Sequence, residues 1–128
     1  MLGRWTKNAG AGTTRLEAGE ITLELIPNRD QLTVAVAGRV TVDSSPSVRS
    51  ALLDLLRRGA APVVVIDLSA VSHLDISGLA TLLEALKAAR ERSVKLRVIG
   101  ITGQAKILAE IAQFDTIFRS WGSELEFG

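Results

Sequence analysis

VVVIDLSAVSHLDISGLATLL, residues 63–83, is the stretch on which the fold turns. Residues 63–66 are apolar without alternation, and Asp67 ends the run. That pattern suits a central strand covered on both faces. A polar segment follows and closes in Asp75-Ile76-Ser77-Gly78. Leu79, Leu82, Leu83 and Leu86 then recur at i, i+3, i+4 and i+7, the spacing of an amphipathic helix that runs to about residue 91 or 92. The reading is strand, loop and helix, with Ser77 presented by the first helical turn. A hydroxyl there has two uses. It can cap the free amides of the helix start. It can also take a phosphate, whose charge of about −1.5 to −2 the positive end of the helix tolerates. Asp75 stands close enough in sequence to orient the hydroxyl, and Gly78 keeps its surroundings open to another protein.

Upstream, residues 20–26 (EITLELI) and 31–37 (QLTVAVA) each alternate, and Pro27-Asn28-Arg29-Asp30 between them is turn chemistry. They predict a β-hairpin. Residues 40–47 (VTVDSSPS) form a loop in which Ser44 or Ser45 caps a helix and Pro46 takes its first position. Val48, Leu52, Leu55 and Leu56 continue that helix, and Gly59 stops it. Downstream, residues 94–100 (VKLRVIG) alternate as a strand. Thr102 caps a further helix with Ile107, Leu108 and Ile111 inward, and Phe114, Ile117 and Phe118 read as a short last strand or an apolar clasp. The order β-β-α-β-α-β-α-β predicts an α/β domain with a mixed, mostly parallel sheet flanked by helices.

The domain is expected over residues 20–121. Residues 1–19 are glycine-rich without apolar period and read as a flexible tail, in which Trp5 either docks on the domain or sits in solvent. Residues 122–128 (GSELEFG) read as an unstructured tail of vector-derived type, because cloning sites commonly encode those dipeptides.

Composition narrows the function. The 128 residues carry a formal net charge of +1 and few aromatics, which argues against a nucleic-acid binder. There is no cysteine, and His73 is the single histidine, so neither a disulfide framework nor a metal site is expected. No apolar run approaches the roughly 18 residues that span a bilayer, and residues 1–19 lack the apolar core of a signal peptide. A cytoplasmic protein is the simplest reading. Ser77, His73 and Asp75 crowd one short segment and lack a G-x-S-x-G elbow, so a hydrolase triad is not expected, and His73 reads as a packing or interface residue. Gly100-Ile101-Thr102-Gly103-Gln104-Ala105-Lys106 lies at a strand-to-helix turn, but its spacing is not that of a phosphate-binding P-loop. Asp67 is expected to brace the loop after its strand, and Asp43 to join Ser44 and Ser45 in a capping cluster.

These motifs resemble the STAS domain, the fold of bacterial anti-sigma factor antagonists. The likeness rests on VVVIDLSAVSHLDISGLATLL, VKLRVIG, the apolar helix ending near Phe114 and the opening LTVAVAGRV, and covers residues 20–121. The resemblance implies a binding protein without catalytic residues or cofactor, acting as a monomer or weak dimer. Its partner would be an anti-sigma factor that is also a Ser/Thr protein kinase, and Ser77 would be the residue phosphorylated, with phosphorylation breaking the complex. Asp75, Ile76 and Gly78, with Thr41 and Asp43 of the preceding loop, would then contact the partner. Two positions differ from the family's usual pattern. Ile76 stands where Ser or Thr is usual, and implies more burial. Thr41 stands where an acidic residue is frequent, with Asp43 shortly after. The same resemblance admits an alternative: a STAS module of a transporter or stress-signalling complex that binds its partner without phosphate control.

Overall fold

The computed structural model describes residues 6–10 and 12–127. In chain order it contains β1 (Thr6–Gly10), β2 (Thr13–Ala18), β3 (Ile21–Asn28), β4 (Gln31–Val40), α1 (Ser45–Arg57), β5 (Val63–Leu74), α2 (Ile76–Glu91), β6 (Lys95–Ile101), α3 (Gly103–Ile111), α4 (Phe114–Ser120) and β7 (Glu124–Phe127). The seven strands form one sheet in sequential order. β1 to β4 are an antiparallel meander; β4 to β7 are parallel. The expected mixed α/β sheet is present.

Each parallel step adds the next strand on the same side of the last. Crossovers of one hand that always advance in one direction place every helix on one face of the sheet. Accordingly α1 packs on α2, α2 on α3 and α3 on α4. The buried face of the sheet follows the period of two. Leu32, Val34, Val36 and Val40 of β4 lie in the core, while Thr33, Ala35 and Ala37 between them are half-buried. Val64, Ile66 and Leu68 do the same from β5. Val65 is also buried, but outside that core. It sits on the other face, where its strand neighbours Thr33 and Arg97 flank it. β5 is therefore covered by helices on one face, not on both as its composition implied.

Further expectations are corrected. Ile107 and Ile111 of α3 do not point inward but are 50% and 75% exposed, and Ala105 and Ala109 are the buried residues of that helix. Residues 6–10 and 13–18 are not a flexible tail: as β1 and β2 they extend the meander, and Leu16, opposite Leu23, is 1% exposed. Only Leu16 of β2 enters the core, so hydropathy shows no period; backbone pairing to β3 holds the strand. Trp5 lies outside the described residues. Residues 124–127 are likewise a strand. Ser123 Oγ accepts from the Leu96 amide at 2.9 Å, and Leu125 is buried. Lys95 and Arg97 reach Glu124 at 3.1 Å each, and Arg97 reaches Glu126 at 2.5 Å. Phe114 and Phe118 belong to a helix and not to a strand, and they close the core as a clasp. Finally, the polar segment after Asp67 is no loop, because β5 continues to Leu74, pairing with β4 across two register shifts.

Candidate functional site

The two parallel helices α1 and α2 both begin at the C-terminal edge of the sheet, where β4 and β5 end side by side. Val40 pairs with Leu74, and the Asp75 amide donates to the Val40 carbonyl at 3.2 Å. That bond ties the loop before α1 to the start of α2.

Asp75, and not Ser77, is the N-cap of α2. Its backbone is extended, and one carboxylate oxygen, Oδ1, accepts from the Ser77 amide at 2.9 Å, the Gly78 amide at 3.2 Å and the Ser77 hydroxyl at 2.5 Å. Asp is as good a cap as Ser, and once it fills that place the serine hydroxyl has no amide left to accept from. The hydroxyl becomes a donor, with its oxygen lone pairs turned away from Asp75. The bond from Ser77 is the main reason the Asp75 carboxyl is held below its ordinary value of 3.8, and the Gly78, Ser77 and Val42 amides add to it against the opposing effect of burial. Asp75 is thus a fixed anion beside the half-buried Ser77 hydroxyl.

Gly78 has a different role from the one expected. It is buried, and a Cβ there would lie 2.3 Å from Leu74 Cδ1 and 3.2 Å from Val40 Cγ1. Glycine lets the first turn of α2 sit down on the ends of β4 and β5; it does not open the hydroxyl to a visitor. Ile76 is the converse case. The expected burial is absent, and its side chain is 68% exposed.

The loop before α1 is braced by its own hydroxyls. Ser44 stands at the N-cap position of α1, but its side chain makes no cap bond. Its Oγ donates to the Arg39 carbonyl at 2.7 Å and accepts from the Thr41 amide at 3.0 Å. Thr41, half-buried, accepts from the Asp43 amide through Oγ1 at 3.3 Å. Thr41 and Asp43 thus shape the turn, with Asp43 exposed at its tip. Val42 between them is 69% exposed, and its amide approaches Asp75. Sequence reading missed Val42, although an apolar residue alone in a polar loop was a signal. Asp75, Ile76, Ser77 and the loop carrying Thr41, Val42 and Asp43 are therefore brought together.

Sequence reading also missed the groove that Ser77 lines. Its volume is about 280 Å³, between Ser45, Arg49 and Ser50 of α1 and Ser77, Thr81 and Glu84 of α2. Arg49 forms an ion pair with Glu84 across it. The Thr81 hydroxyl bonds the Ser77 carbonyl at 3.0 Å.

The remaining candidates lie elsewhere. His73 is an exposed residue of β5 and lines a separate cleft of about 110 Å³ with Ser72, Thr102 and Gln104. Thr102 holds the N-cap position of α3 without a side-chain cap bond. Asp67 Oδ1 accepts from the Ser69 amide at 2.9 Å and hydroxyl at 2.5 Å, bracing the chain as expected, though within a strand. Among the described residues no His, Asp and Glu cluster has the makings of a metal site, and no helix is long and apolar enough to cross a membrane.

Comparison with known proteins adds to this geometry. The STAS domain family model matches residues 21–126. The anti-sigma-B factor antagonist of Listeria monocytogenes is 31% identical over 88 residues, which are 69% of this chain and 76% of the relative. An anti-sigma factor antagonist from Mycobacterium paratuberculosis superposes with a TM-score of 0.67 at 22% identity, over 77% of this chain and 82% of that one. The Bacillus cell fate determinant SpoIIAA, in its phosphorylated form, superposes with a TM-score of 0.61 at 13% identity, over 83% of this chain and 90% of its own. At those identities the two structures establish the shared fold.

Proposed function

This chain belongs to the STAS domain family, and from that premise we propose that it is an anti-sigma factor antagonist switched by phosphorylation of Ser77. It works by binding: in its unmodified form it holds an anti-sigma factor that is also a Ser/Thr kinase, and so releases a sigma factor. The reading needs no catalytic residue and no cofactor in this chain, acting in the cytoplasm as a monomer or weak dimer.

One observation carries the proposal. The Ser77 hydroxyl stands at the start of α2 with its proton engaged by Asp75, and two exposed apolar residues adjoin that carboxylate, Ile76 next in the chain and Val42 through its amide. Val42 and Ile76 give a partner apolar surface to cover, with Thr41 and Asp43 at its margin. The partner kinase would move the γ-phosphoryl group of ATP to Ser77 Oγ, the hydroxyl proton leaving to the kinase's base and ADP departing. A dianion would then stand in the contact, next to the fixed Asp75 carboxylate. Desolvating it against Val42 and Ile76 is costly, and the complex opens.

The test is incubation with the cognate kinase and ATP, followed by mass spectrometry. Phosphate is expected on Ser77 and absent in Ser77→Ala; undiminished label in that variant refutes the assignment. Affinity of Ser77→Asp for the anti-sigma factor is expected to fall at least tenfold, about 1.4 kcal/mol. The departure at Ile76 favours one second reading, a STAS module of a transporter or stress complex that binds through the same surface without phosphate control. Under it, Ser77→Asp leaves affinity unchanged.

A further inference from the structure

We propose that Arg49 is the intramolecular receptor of the Ser77 phosphate, and that phosphorylation moves its guanidinium from Glu84 to the phosphoserine. The inference rests on the reading of Ser77 as the phosphoacceptor and adds what the phosphate does within the chain.

The groove between α1 and α2 carries it. Ser77 and Glu84 line the same wall, two turns apart on α2, and Arg49 faces them from α1. Both helices run in the same direction from the same edge of the sheet, each following a strand of one parallel pair. Arg49 is the fifth residue of α1 and Ala80 the fifth of α2, and Ala80 lines the groove as well. From Ala80, Ser77 lies three residues back and Glu84 four residues forward, about 4.5 Å and about 6 Å along the axis. A guanidinium on a long flexible stem reaches either.

In the unmodified chain Glu84 is the partner, and both side chains of the pair are 48% exposed. Such a pair is worth little and is readily exchanged. Phosphorylation changes the competition at three points. The ester oxygen has no proton to donate, so the bond from Ser77 to Asp75 is lost. Asp75 stays an anion, because the Ser77 and Gly78 amides still hold it, and it repels the phosphate toward the groove. There the phosphate offers Arg49 more charge than Glu84 does, in a geometry that a guanidinium binds with two parallel hydrogen bonds. Arg49 is the one cation among the described residues lining this groove.

The test installs phosphoserine at position 77 of the full chain during translation, which needs no kinase, and follows its second ionisation by phosphorus NMR. A phosphoserine ionises near pH 6. In the wild type the midpoint is expected on the order of half a pH unit below that of Arg49→Gln, the discount for half exposure included. Arg58→Gln, at the far end of α1, is expected to leave it unmoved. Equal midpoints in wild type and Arg49→Gln overturn the assignment. Glu84→Gln gives an independent arm should Arg49→Gln fail to fold: with its competitor gone, Arg49 is expected to lower the midpoint further, and an unmoved midpoint there overturns the proposal too. If cells and the cognate kinase never phosphorylate Ser77 while the midpoints still separate, the phosphoswitch reading fails and the Arg49 assignment stands.

Discussion

Asp67-Leu68-Ser69 and Asp75-Ile76-Ser77 make the same local structure in two places. In each, Oδ1 of the aspartate accepts from the serine amide at 2.9 Å and from the serine hydroxyl at 2.5 Å. The first lies within β5, next to the register shift between Ala35 and Ala37, so the strand takes the turn up as an irregularity and runs on to Leu74. The second starts a helix, and the same oxygen also takes the Gly78 amide. What differs is the residues that follow and the neighbour that approaches. After Ser69 come Ala70 and Val71, and Gly100 of β6 presses in from the side. After Ser77 come Gly78 and a helical leucine period, with the groove of Arg49 open beside it. A shared hydrogen-bond motif therefore yields a brace in one setting and, as proposed above, a switch in the other.

Substitutions at the two neighbouring glycines should break the comparison most sharply. Gly100 has φ +83°, and a Cβ there would lie 2.6 Å from the Ser69 amide nitrogen, which is backbone and cannot yield. Gly100→Ala is expected to cost about 3 kcal/mol or more, read from urea unfolding midpoints. Gly78→Ala meets Leu74 at Cδ1 and at Cγ, 2.3 and 2.8 Å away, so that whole side chain must swing aside while no backbone is displaced; a loss of about 2 kcal/mol is expected, smaller than at Gly100. The aspartates come next. Asp75→Ala removes a helix cap and should cost about 1 kcal/mol more than Asp67→Ala. Equal losses would mean that the helix amides add nothing to the motif.

Acid should sharpen the same contrast. Because the native Asp75 pKa lies below its unfolded value of 3.8, its contribution to stability is complete above that value and is lost as pH falls through the native one. Unfolding at a series of pH values from about 5 down to 2 should show a steeper acid loss in the wild type than in Asp75→Ala. The smallest expected change is in Ile76→Ser. Its side chain stands in solvent, so stability should move by no more than about 0.5 kcal/mol. Affinity for the anti-sigma partner should nevertheless fall, and unchanged affinity would remove Ile76 from the proposed contact surface.

Much of the fold was legible because its signals are local and periodic. The alternation of residues 31–37, the leucines of α2 and the stop at Gly59 each translate into a buried stripe or a turn. β2 and β7 were not legible, because they are held largely by pairing with strands already in place. Of their side chains, Leu16 and Leu125 alone are buried, too few to make a pattern. The site divides in the same way. Asp75 beside Ser77 was readable from spacing. Arg49 was not, since it lies far from Ser77 in the chain and lines the same groove only because α1 and α2 leave the sheet side by side.

By itself the sequence determined the helical start at Asp75-Ile76-Ser77-Gly78, since capping chemistry and the leucine period act over a few residues. It also carried the STAS likeness, through motifs of the same short range. Only the tertiary structure decided which side of Gly78 is crowded and which cation lines the groove beside Ser77. Those depend on how strands far apart in sequence are stacked, and packing of that kind leaves no period in a chain.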